Sequence, residues 1–147
     1  MYVTNLPYAL PMPSRPRHDM PTDEWLRQAE HDLRAADHLL NGGFFAHATV
    51  IAHLAVEKAL KGLYRAQHDR NPPVTHDLQY LAKRTDLTVP ADLREALDLL
   101  SGESILRLYP DRLFDADVPF DRDHARERVA AAHALLNWIT DRVCVWE

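Results

Sequence analysis

Apolar residues recur at helical spacing along most of the chain. Between Thr22 and Leu40 they are Trp25, Leu26, Ala29, Leu33, Ala36, Leu39 and Leu40, and these steps of three and four define one helical stripe. Thr22 is placed to cap its start, with Asp23 and Glu24 against the positive helix end. Asn41-Gly42-Gly43 stops it, because these residues accept the left-handed backbone that ends a helix. A second helix is predicted from Phe44 to about Gln67, carrying Phe44, Phe45, Ala48, Ile51, Ala52, Ala55, Val56, Ala59, Leu60, Leu63 and Tyr64. So wide a band predicts a central helix, or one that also faces a second copy of the chain. Pro72-Pro73 forces the stretch from Arg70 to Val74 out of helix. A short helix capped by Thr75 then carries Leu78, Leu81 and Ala82, and another, opened by Pro90, carries Leu93, Ala96, Leu97 and Leu100. Residues 101–120 read as a loop, and a last helix from Asp121 or Asp123 carries Ala125, Val129, Ala132, Leu135, Leu136 and Ile139. No run alternates long enough to be a strand. The pattern predicts an all-α, up-and-down antiparallel bundle of four to five helices.

At 147 residues the chain suits one domain, expected over 22–147. Five of the ten prolines fall in residues 1–21, which predicts an extended or mobile leader. That leader has neither the basic start of a signal peptide nor an apolar run long enough for a bilayer helix, so no membrane association and a cytoplasmic location are expected. The net charge of −5 argues against nucleic-acid binding by bulk charge, leaving only a local basic stripe. Four glycines exclude Gly-rich phosphate loops, and one cysteine excludes an intrachain disulfide. Cys144, between Val143 and Val145, reads as a packed thiol.

Nine histidines raise the question of a metal. His53 and Glu57 stand one turn apart and supply only two ligands, and Asp121-x-x-His124 occurs once, so no metal and no cofactor are expected. Lys58, Lys61 and Arg65 recur at steps of three and four, giving a stripe able to track phosphates or simply a solvated helix face. Arg70-Asn71-Pro72-Pro73-Val74-Thr75-His76 follows directly. An imidazole can take the proton of an RNA 2′-hydroxyl near neutral pH, and a guanidinium can brace the phosphate as charge builds on it. The same segment can also be only a helix cap with His76 exposed.

These pieces, in order, resemble a HEPN domain (higher eukaryotes and prokaryotes nucleotide-binding). They are Trp25 in an Ala/Asp/Leu-rich helix, Phe44-Phe45-Ala46-His47-Ala48, and Ala55-Val56-Glu57-Lys58-Ala59-Leu60-Lys61. Thr75-His76-Asp77-Leu78 and Leu108-Tyr109-Pro110-Asp111 come next, ahead of the final Ala-rich helix. The resemblance covers about residues 22 to 142. It implies a helical bundle, a homodimer and, in many members, metal-independent endoribonuclease activity. Several such members are toxins paired with a minimal nucleotidyltransferase antitoxin. On this resemblance Arg70 and His76 correspond to the catalytic pair, while Glu57, Lys58, Lys61, Arg65, Tyr109 and Asp111 are carried over as nucleotide- or RNA-binding positions. The chain departs from the pattern with His53-Leu54 in place of a glutamine pair, Leu108 where an arginine is usual, and Leu78 where some toxins carry a modified tyrosine. A non-catalytic module that binds a nucleotide or docks a partner stays open beside the nuclease.

Overall fold

The stripe between Thr22 and Leu40 lies on α1 (Thr22–Asn41), where Ala29, Leu33 and Ala36 are buried. The computed structural model describes residues 19–103 and 120–146, and within them α1 is followed by α2 (Phe45–His68), α3 (Leu78–Arg84), α4 (Ala91–Ser101) and α5 (Arg122–Trp146). No strand occurs among the described residues, so the chain is all-α as its periodicity predicts. Residues 1–18 of the leader and 104–119 of the expected loop, with Tyr109 and Asp111, lie outside the described residues.

The wide apolar band of α2 is used inside the chain. Fourteen of its 24 residues are buried, and it packs against each of the other four helices. Its alanines, Ala48, Ala52, Ala55 and Ala59, have no exposed surface, and such small side chains let neighbouring helices approach closely. Leu63 of α2, Leu78 and Leu81 of α3, Leu100 of α4 and Ile139 of α5 form the fully buried centre. Each contributes about 1.5–3 kcal/mol relative to an exposed side chain.

Helix ends follow the backbone needs of each terminus. Gly43 sits at φ +84 just beyond α1, where an L-residue would be strained, and the Gly42 N–H donates to His38 O at 3.0 Å. Thr22 is the first helical residue rather than the cap. Pro21 holds the cap position without a side-chain bond, because the missing proline donor costs nothing at a helix start. The expected Thr75 cap is likewise displaced. Asp77 caps α3, its carboxylate accepting from the Tyr80 N–H at 3.0 Å, while the Thr75 hydroxyl accepts from the Asp77 N–H at 3.1 Å. Asp121 caps α5 by accepting from the His124 N–H at 2.8 Å. Cys144 is exposed rather than packed: Val143 takes the core position, and the next residue on a helix points about 100° away.

Gly62 lets α1 and α2 approach closely, since a Cβ there would lie 3.0 Å from Trp25 Cβ and 3.4 Å from Leu26. Gly62→Leu is expected to destabilise the fold by about 1–3 kcal/mol, through overpacking against a rigid helix. Urea denaturation at matched m-value measures it.

Candidate functional site

Glu57, Lys61 and Tyr64 share one face of α2, since steps of four and three residues return to the same side of a helix. Glu57 is buried, with 3% of its surface exposed. A carboxylate in that position needs counterions and donors, and three groups supply them. Lys61 Nζ lies 2.9 Å from Glu57 Oε1. His76 Nδ1 lies 3.1 Å from Oε1 and 3.0 Å from Oε2. His53 Nε2 stands 3.7 Å from Oε2. Lys61 also lies 5.8 Å from the Trp25 ring centroid, which ties the cluster to α1.

A carboxylate only accepts, so the contact with Glu57 puts the His76 proton on Nδ1 and leaves Nε2 as the basic nitrogen. The His76 side chain is 78% exposed, and Nε2 therefore faces solvent while Nδ1 is anchored. This is the arrangement of an oriented general base. The backbone around it is held as firmly. After α2, Asp69 adopts the left-handed conformation at φ 47, ψ 39, and Pro72-Pro73 leads into a tight turn in which the Thr75 N–H donates to Pro73 O at 3.1 Å. His53 completes the clamp, its two ring nitrogens lying 2.8 Å from Leu100 O and 3.1 Å from His76 O. Each carbonyl only accepts, so a ring nitrogen that carries a proton donates there. Sequence spacing pairs His53 with Glu57; its reach to α4 and to the His76 backbone is a long-range contact that spacing does not carry.

Arg70 is exposed and follows the left-handed Asp69 that ends α2. The guanidinium groups of Arg84 and Arg70 act on the Tyr64 phenol. Burial pushes this phenol up, but hydrogen bonding from Arg84 and Arg70, together with their charges, outweighs burial and holds it below the ordinary tyrosine value. Tyr64 is seven residues beyond Glu57, a helical rise of about 10.5 Å. Neither Tyr64 nor Arg84 is marked by the sequence motif, because only the fold brings α3 back beside the end of α2.

The other cations singled out from sequence are already matched. Lys58 Nζ lies 2.7 Å from Asp32 Oδ2 of α1. Arg65 lies 3.0 Å from Asp19 and 3.8 Å from Asp69. The basic stripe is accordingly a set of internal ion pairs in this chain. A groove of about 730 Å³ between α1 and α5, lined by Arg34, His31, His133 and Asn137 among others, lies apart from Glu57 and His76. Among the described residues no helix is long and apolar enough to cross a membrane.

Comparison with known proteins agrees with this bundle. The HEPN domain family matches residues 22–143. The fold is similar to the crystal structure of TT1696 from Thermus thermophilus, at 32% identity and a TM-score of 0.72, over 82% of this chain and 97% of that one. It is also similar to the crystal structure of ST0689, an archaeal HEPN homologue, at 26% identity and a TM-score of 0.67, over 84% and 98% of the two chains. No curated protein matches significantly. The chain belongs to the HEPN domain family.

Two measurements probe this cluster. Glu57→Gln leaves the Lys61 charge buried without its counterion and is expected to cost about 3–5 kcal/mol of stability, read by urea denaturation. Tyr64 is expected to ionise before the other tyrosines in an alkaline absorbance titration, and Tyr64→Phe removes that early step. Because its folded pKa lies below the unfolded value, its contribution to stability is present above the ordinary tyrosine range, near 10, and is lost as pH falls through the depressed value.

Proposed function

We propose that the chain is a metal-independent endoribonuclease in which His76 is the general base and Arg70 braces the phosphodiester. The observation that carries this reading is the His76–Glu57 contact: Nδ1 fixed on a buried carboxylate, Nε2 open to solvent. In the proposed step Nε2 takes the proton of an RNA 2′-hydroxyl, and that oxygen bonds to phosphorus. The P–O5′ bond breaks, and the departing 5′-oxygen takes a proton from water. The products are a 2′,3′-cyclic phosphate and a 5′-hydroxyl end. Glu57 holds the ring and offsets the charge it gains, while Lys61 stands as the carboxylate's counterion.

This reading carries with it a homodimer, in which a second copy can bring its own Arg70 and His76 to the same strand, and a role as a toxin neutralised by a small nucleotidyltransferase. A second reading is a module that binds a nucleotide or docks a partner without cutting RNA. Lys58, Lys61 and Arg65 then act through their ion pairs to hold the binding face.

Cleavage of a labelled RNA in the presence of a chelator separates the two. The nuclease reading expects cyclic-phosphate ends and a loss of about 10²–10⁴-fold in rate for His76→Ala. Undiminished cleavage by His76→Ala removes the base, and binding without any cleavage leaves the module.

A further inference from the structure

Two arginines near the site differ from the cations of α2. Arg70, beyond α2, and Arg84, at the end of α3, are both exposed, and the charges of both act on the phenol of buried Tyr64. Among the described residues neither has a carboxylate at ion-pair distance, whereas Lys58, Lys61 and Arg65 are each matched by one. Exposed guanidinium groups without a carboxylate partner attract an oxyanion from solvent. The carbonyl of Arg84 lies 3.2 Å from His68 Nε2, and the His68 ring centroid is 4.3 Å from that of Tyr64. The end of α3 is therefore fixed to the end of α2 rather than swinging freely.

An aromatic ring lies beside this cationic pair. Tyr80 is one helical turn before Arg84 on α3, 43% exposed, with the Arg84 guanidinium 5.9 Å from its ring centroid. Its backbone N–H is held by the Asp77 cap, which immediately follows His76. An exposed aromatic face next to unpaired arginines is the arrangement that single-stranded RNA uses, bases stacking on the ring while phosphates meet the cations.

We infer that Tyr80, Arg84 and Arg70 form a nucleotide subsite for single-stranded RNA beside His76, in which a base stacks on Tyr80 and the guanidinium pair takes a phosphate. The subsite rests on the reading that this chain acts on RNA, yet it concerns binding and stands without cleavage.

The test uses the full chain carrying His76→Ala, so that no RNA is cut, and a fluorescein-labelled single-stranded oligoribonucleotide followed by anisotropy over a salt series. Arg84→Ala is expected to weaken binding about tenfold and to lower the salt slope by about one. Tyr80→Leu is expected to weaken it about five- to hundredfold, and Tyr80→Trp to restore it. Circular dichroism verifies the helices of each variant, and Arg84→Lys, which retains charge and helix propensity, keeps the slope. Equal affinity and slope in the parent, Arg84→Ala and Tyr80→Leu overturn the subsite even if the native chain cleaves RNA. Absence of oligonucleotide binding by the parent overturns it as well. Binding that depends on Arg84 and Tyr80, in a chain whose native form never cleaves RNA, upholds the subsite and removes the nuclease.

Discussion

A carboxylate excluded from water must be compensated where it stands, and Glu57 organises the molecule around that requirement. Lys61, one turn along α2, meets it with charge. His76, arriving from the loop ahead of α3, meets it with a ring N–H, and His53 stands close by while bonding the carbonyls of Leu100 and His76. One buried negative charge thereby ties α2, the loop to α3 and the end of α4 together. The arrangement is costly to build and poor at tolerating the loss of a member, which suits a cluster whose purpose is orientation.

The electrostatics of the rest of the chain follow a different logic. α2 carries its cations where α1 and the segment before it supply carboxylates, so Lys58 and Arg65 contribute cohesion between elements rather than outward field. Exposed positive charge near the site is left beyond the helix end, at Arg70 and Arg84. An acidic protein can in this way keep a narrow region attractive to phosphate, since exposed charges further than about 8–10 Å away are largely screened at physiological salt.

Helical periodicity exposed the architecture well, because each helix buries one stripe and stripes repeat at 3.6 residues. It also located Gly43, whose left-handed backbone ends α1. The breadth of the α2 band was visible, but pattern alone does not distinguish burial among four neighbours from burial against a second copy. Capping at Thr75 failed because Asp77 offers a better acceptor two residues later. For the site, Arg70, His76 and Glu57 were visible as residue types at a familiar spacing. Their relationship was not: the Glu57–His76 contact spans 19 residues, and the meeting of Tyr64 with Arg84 depends on α3 folding back. Local sequence names the participants, and tertiary packing decides which of them touch.

The segment joining α2 to α3 holds two consecutive prolines between the left-handed Asp69 and the turn at Thr75. Such a stretch has few conformations to lose on folding, so mounting His76 against its carboxylate forfeits little chain entropy. The imidazole stands on a stiff bracket rather than a tether, and its aim persists although most of the ring is bathed in solvent. On the proposed nuclease reading, an incoming strand meets a group already pointed at it, with no loop to be ordered first.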